Sequence, residues 1–266
     1  MDPEIVNIPF YKRPGFLASI IVLVLFMVYY SIMLMIGPVK KLNLIHSEYG
    51  FKQDEKNPVD EKILTDSAYL KLFREKVFLQ SSTAMAASDS ICLTINLRDS
   101  SASLQISGVT VHSTDIKNRN VSSILQREND FAILNMLSTP YTITSDYSTI
   151  KKEPLMIKMA PKDTSEYTPD IIPDTADFEP VNFILELENG LRIYVYQDEE
   201  LRTGDGIRRF GFDLWDRIKT AVSAVIKVVI FRVPEYHPYI KIRINRADAK
   251  IIYRAVPYHG LVTVCI

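Results

Sequence analysis

The sequence predicts an N-terminal transmembrane helix followed by a mainly β, α+β exported domain. Three observations lead there. Phe16 to Ile36 is a run of 21 residues without a charge, about 31 Å of helix against a hydrocarbon layer of roughly 30 Å. From Ser90 onward the apolar period drops from three or four to two, the spacing of a strand with one buried face. The 266 residues carry 31 basic and 32 acidic side chains, so no net field selects a polyanion and nucleic acid is excluded as the partner charge would recruit.

Residues 1–15 form a short N-terminus and 16–37 the anchor, which ends at Gly37-Pro38. The apolar run is longer than that of a cleaved signal peptide, and the following "GPVKKLNLIH" offers no small-residue cleavage site, so a retained signal anchor is expected. Lys12 and Arg13 precede it and Lys40 and Lys41 follow it, a tie in the positive-inside count. A long following domain is exported largely regardless of that count, which puts the N-terminus in the cytoplasm and the body outside. Residues 38–65 are polar and aperiodic and read as a juxtamembrane stalk. Within 66–89, Leu70, Leu72, Phe73, Val77 and Phe78 recur at spacings near three and four, with Leu64 just before them and Asp66 or Ser67 as a cap. That predicts an amphipathic helix from about Asp66 to Ser81.

The β domain is expected over 90–266. "ICLTINL" alternates Ile91, Leu93, Ile95 and Leu97; "RDSSA" turns; "SLQISGVTVHS" returns with Leu104, Ile106, Val109 and Val111 around Gly108. Further strands are predicted at Phe131–Met136, Tyr141–Thr144, Leu155–Met159, Val181–Glu188 and Leu191–Tyr196, the last two joined by the tight-turn tripeptide "ENG". "APKDTSEYTPDIIPDTADFEP" is rich in proline and aspartate and reads as a long surface loop. "TGDGIRR" has no Lys-Ser/Thr after its glycines and reads as a loop, not a phosphate cradle. A helical insert is expected at 211–231, with Leu214, Trp215, Ile218, Val222, Val225, Ile226 and Val229 on one stripe and Arg217, Lys219 and Lys227 elsewhere. Two readings stand: an insert buried on the domain, or an interfacial helix on the bilayer with its lysines at the headgroups.

The tail carries a resemblance. "IRINRADAKIIYRAVPYHGLVTVCI" resembles the C-terminal part of the L,D-transpeptidase (YkuD-type) domain. Active members have a Ser-His-Gly-Cys-Ile-Arg-Leu strand, an Asp-Ala-x-x-Leu-Tyr helix and a Gly-Thr-x-Val-x-Ile strand. Here Ile242, Arg243 and Ile244, then Asp248, Ala249, Ile252 and Tyr253, then Gly260, Val262, Val264 and Ile266 follow that order. Upstream, the Ile91 hairpin, Thr139-Pro140 and "FILELENGLRIYV" resemble the opening strands, the Thr-Pro step and the strand leading to the family's histidine. The resemblance implies a YkuD-like β-sandwich over about Ser90 to Ile266.

It also implies a lost nucleophile. Lys241 stands where the family has its cysteine, Pro238-Tyr239-Ile240 replaces Ser-His-Gly, and Tyr194 stands where the histidine is expected. Acyl transfer of this kind needs a thiolate, an adjacent imidazole and oxyanion donors, so no catalytic residue is expected. Arg243 completes the degenerate site, and Tyr253 and His237 are candidates to line a peptide groove. Cys92 and Cys265, the only cysteines, either pair as a disulfide or are two buried thiols. His259 and Cys265 are too far apart along a strand to form a dyad, and Asp213 with Asp216 reads as two exposed acids at a helix start rather than a catalytic pair. No His or Cys spacing suggests a metal, and no cofactor is expected.

The expectation is a single-pass protein of the bacterial inner membrane, its C-terminal domain in the periplasm, acting as a catalytically inactive binding or scaffold subunit of an envelope complex. Its partners would be the lipid bilayer, other membrane or envelope proteins and peptidoglycan stem peptide. Two alternatives stand beside it: an active cysteine transpeptidase or hydrolase with Cys92 as relocated nucleophile, and a purely structural membrane-complex subunit.

Overall fold

The computed structural model describes residues 14–52, 64, 66–127, 130–152, 179–199 and 205–266. The expected strand at 155–159, the loop at 161–178 and the first residues of "TGDGIRR" lie outside them. Two compact units emerge, one from Met1–Leu44 with Asp216–Tyr236 and one from Ile45–Trp215 with His237–Ile266.

Helix α1 (Pro14–Tyr49), of which the residues as far as Leu44 belong to the first unit, carries the apolar run and is long and apolar enough to cross a membrane. It does not stop at Gly37-Pro38. Pro38 removes one ladder hydrogen bond, yet the helix continues to Tyr49, so the first dozen residues of the expected stalk are helical. Nothing in "VKKLNLIHSEY" breaks a helix once it is nucleated, and propagation is far cheaper than nucleation.

The same unit holds the second half of α4 (Asp205–Val229). Asp205 to Arg209 open this helix instead of forming a loop. On its stripe Leu214, Trp215, Ile218, Val222, Val225, Ile226 and Val229 are all exposed. The residues that do turn inward, Phe212, Ala224 and Val228, lie off the stripe.

The second unit is a β domain with helices. Helix α2 (Ser67–Ala86) starts at Asp66, whose carboxylate accepts from the Ala68 N–H, an N-cap that satisfies an orphan donor. Leu70, Val77, Ser81 and Met85 face inward, whereas Leu72, expected on that face, is exposed. Position 72 falls two residues from Leu70, about 200° around the helix.

Nine strands lie among the described residues: β1 (Ile91–Asn96), β2 (Ser101–Ile106), β3 (Val109–Asp115), β4 (Asn118–Val121), β5 (Tyr141–Ser148), β6 (Asn182–Leu187), β7 (Arg192–Gln197), β8 (Tyr239–Ile244) and β9 (Leu261–Cys265). Their order is β3-β2-β1-β9-β5-β6-β7-β8-β4. Only β1 with β9 and β7 with β8 are parallel. The two ends of this order, β3 and β4, are separated by Ile116 and Lys117 alone. Three peptide steps reach only about 11 Å, so the sheet must curl until its edges meet. The crossing is tied down by Ile116 N–H to Ser100 O (2.7 Å) and Lys117 N–H to Arg243 O (2.8 Å).

Three sequence expectations change here. Gly108 does not sit within one returning strand: with Ser107 (φ 48°) it forms a two-residue turn (Gly108 φ 80°) between β2 and β3, the geometry that matches strand twist. Val109 and Val111 therefore belong to a separate strand and are exposed. Phe131–Met136 is helix α3, not a strand; Asp130 caps it by accepting from the Ala132 N–H. Strand β4, "NRNV", escaped the periodicity because its side chains are polar; backbone pairing with β8 holds it.

The interior is lined by alternate residues: Leu93 and Ile95, Val262 and Val264, Phe183 and Leu185, Ile193 and Val195, Ile240, Ile242 and Ile244. Helix α5 (Arg246–Ala255), capped by Asn245, adds Ala249, Ile252 and Tyr253. Asp248 fixes it to β3, accepting from Thr114 Oγ1 (2.7 Å) with His112 Nε2 at 3.1 Å. On the outer side α2 meets β9 through the buried Ser81 and Thr263 hydroxyls.

Candidate functional site

Parallel pairing of β7 and β8 sets Tyr194 opposite Lys241 and Tyr196 opposite Arg243. Since side chains alternate, Tyr194, Tyr196, Tyr239, Lys241 and Arg243 share the face away from the Ile193/Ile240 core. The structure thus brings three of the expected positions, Lys241, Tyr194 and Arg243, onto one surface. Lys241 Nζ lies 4.9 Å from the Tyr194 ring centroid and 5.1 Å from that of Tyr239, and the two rings meet edge to face at 6.3 Å. The ammonium is a cation held between two π faces. Tyr239, which closes the second side, was not singled out from the sequence; its signal was its i, i−2 spacing from Lys241 on a strand.

Around this clamp, Tyr194 stacks beside Tyr196 at 6.4 Å. Tyr196 donates to Asp213 Oδ1 (2.9 Å) and lies beneath the Arg209 guanidinium at 4.9 Å. Burial, then the neighbouring Asp213 carboxylate, raises the Tyr196 phenol well above its ordinary value. Asp213 is therefore a structural acceptor. Asn118 and Asn120 of β4 stand opposite Arg243 and Lys241 and are exposed, extending the face with amide groups.

His237 and Tyr253 do not join that surface. His237 Nδ1 lies 3.1 Å from Gly190 O and 3.6 Å from Glu186 Oε1, at the β6–β7 turn. Tyr253 lies on the interior side, its ring 5.0 Å from that of Phe183. There it belongs to a cluster the sequence did not announce: Lys152 Nζ bridges Asp146 at 3.2 Å and lies over the Tyr253 and Tyr258 rings at 5.1 and 4.4 Å. Burial and the Asp146 carboxylate raise the Tyr253 phenol. The bridge is nearly enclosed, so breaking it by removing one partner leaves an uncompensated charge.

Both cysteines are buried free thiols. In the β1–β9 register Cys265 stands beside Asn96, four residues along from Cys92, about 13 Å, so the disulfide alternative is ruled out by reach. Cys92 contacts the Ser90 carbonyl (3.4 Å). Burial pushes both thiols up, the opposite of the shift a nucleophilic cysteine needs. His112, paired opposite Leu104 and hence across from Leu93, lies on the other face of the sheet from Cys92. Among the described residues no group of three His, Cys, Asp or Glu side chains is placed to hold a metal.

The face thus carries two cations, Lys241 and Arg243, the Tyr194 and Tyr239 rings and two exposed amides, with Tyr196 buried beneath Arg209. Comparison of the chain with family models, with curated proteins and with solved structures finds no match.

Proposed function

We propose that this chain is a membrane-anchored, catalytically inactive relative of the L,D-transpeptidases, a binding or scaffold subunit of a bacterial envelope complex with its β domain in the periplasm. The strand–helix–strand tail supports the YkuD-like sandwich, since β8, α5 and β9 follow in the expected order and β9 returns beside β1. The observation that carries the inactive reading is the Lys241 ammonium between Tyr194 and Tyr239. On the resemblance, Lys241 and Tyr194 stand where the nucleophile and imidazole are expected, and neither can form a thioester. Stem peptide is the ligand class proposed for this face, because its carboxylates complement Lys241 and Arg243.

Two measurements on the full chain in mild detergent test this. Incubation with disaccharide tetrapeptide, followed by mass spectrometry, is expected to yield neither cross-linked nor trimmed product and no adduct on the protein. Sedimentation with isolated sacculi is expected to carry the protein down, and Lys241→Glu to reduce that fraction about ten-fold, the effect of replacing an attraction by a repulsion worth roughly 1.4 kcal/mol. Turnover would remove the inactive reading; sedimentation indifferent to Lys241→Glu would remove the site.

A further inference from the structure

We propose that α4 and the turn after it form a second membrane contact: an in-plane helix lying in the leaflet where α1 exits, with Phe231 as its deepest anchor. The inference rests on the anchor part of the proposed function and not on the transpeptidase resemblance.

The first observation is the shape of the apolar surface. At 100° per residue, Ile207, Phe210, Leu214, Trp215, Ile218, Val222, Val225, Ile226 and Val229 fall within an arc of about 160°, and all are exposed, whereas Val228, at the edge of the arc in line with Phe210, is buried. Arg208 and Lys219 border this arc on one side and Arg217 on the other, while Asp213, Asp216, Thr220, Ser223 and Lys227 occupy the opposite face. Long basic side chains at the edges of an apolar arc can reach phosphates while the arc rests in acyl chains. So many charges on the far face exclude a second span.

The second observation is the helix end. Arg232 N–H bonds Lys227 O (2.8 Å) and Phe231 N–H bonds Val228 O (3.0 Å), a Schellman closure that places Phe231 in the left-handed region (φ 57°). Glycine is the ordinary occupant of that position, since a bulky side chain is strained there. Phe231 is nonetheless 81% exposed to solvent, so burial within the fold offsets little of that strain. The closing turn is braced by Lys227 Nζ to Glu235 Oε1 at 2.6 Å.

The third observation identifies the occupant. Within the same compact unit, the Phe231 ring lies 6.0 Å from Tyr29, and a Cβ built on Gly37 would stand 3.2 Å from Pro234 O. Tyr29 is seven residues before Ile36, the last residue of the apolar run, or about 10 Å inside it. Phe231 is thereby held several ångströms below the level at which α1 leaves the hydrocarbon, a depth typical of interfacial helices. The chain then climbs along α1 from Phe231 to Pro234. An apolar arc that ends beside a transmembrane segment, below its exit, is continuous with the lipid that surrounds that segment.

Trp215 is the only tryptophan and lies on the arc, so it reports directly. The full chain would be reconstituted into phosphatidylcholine vesicles brominated at shallow or deep acyl positions. Flotation with the vesicles after carbonate washing establishes the anchor. Trp215 emission is then expected to fall roughly two-fold or more with shallow bromines and to resist aqueous acrylamide, as for a side chain at the headgroup–acyl boundary. Moving the reporter to the turn, with Trp215→Phe and Phe231→Trp together, is expected to make deep bromines the stronger quenchers. Floated protein whose emission ignores bromine at both positions overturns the inference while leaving the anchor intact, whether acrylamide reaches the indole (a free arc) or not (a protein-covered arc). Failure to float overturns both.

Discussion

Lys241 shows how a cation on a sheet face is accommodated locally. An ammonium on a half-buried strand face would normally seek a carboxylate; here the rings of Tyr194 and Tyr239 take that place. Two cation–π contacts at a partly exposed site are together worth about 1 kcal/mol. Lys241→Met, which keeps the stem, is expected to lower unfolding stability by about that amount, and Lys241→Arg, whose guanidinium also stacks, to stay within about 0.5 kcal/mol of the parent. Urea titration of the three proteins in the same detergent checks this; Met and Arg variants of equal stability would mean the rings do not hold the cation. The lysine was singled out from the tail and Tyr194 from the strand after the "ENG" turn. Tyr239 and the Lys152–Asp146 pair were not: Tyr239 lies two residues from Lys241 on the same strand but belongs to no motif, and Lys152 and Asp146, six residues apart, meet because the chain bends after β5.

At the level of elements, α3 is the instructive miss. "FAILNM" is an apolar run of strand length, and periodicity cannot separate a short buried helix from a buried strand. Asp130 decides it, capping the helix and lying 2.7 Å from His46 Nε2. Asp130→Ala is expected to cost about 1 kcal/mol, the usual loss for an N-cap, with hydrogen exchange rising first in Phe131–Met136. Unchanged exchange there would show that packing, through the Phe73–Phe131 stack at 4.6 Å, holds the helix unaided. β4 was illegible for the opposite reason, a polar strand with no pattern of its own. In α4 the stripe was plain in the sequence, but what faces it was not.

For the molecule as a whole, burial holds the Tyr141, Tyr196 and Tyr253 phenols well above their ordinary value. The sign of the pH dependence follows. Above about pH 10 an unfolded tyrosine loses its proton while these three keep theirs, so the unfolded state binds fewer protons and stability falls as pH rises further. Below pH 10 their contribution is complete. Alkaline titration is therefore expected to show these three of the 14 tyrosines ionising only as far-ultraviolet structure is lost; tyrosinate absorbance reaching its full value with the fold intact would contradict the burial.

The sequence by itself determined the apolar helix, the change of period at Ser90 and the strand–helix–strand order of the tail, because each depends on spacing along the chain. Only the tertiary structure decided that the sheet curls edge to edge, that the two thiols stand apart, that Tyr253 and Lys241 occupy opposite faces, and which residues of α4 are exposed. Those depend on register and on which surfaces meet, and a one-residue shift in pairing reverses every side chain without altering the local pattern that predicts the strand.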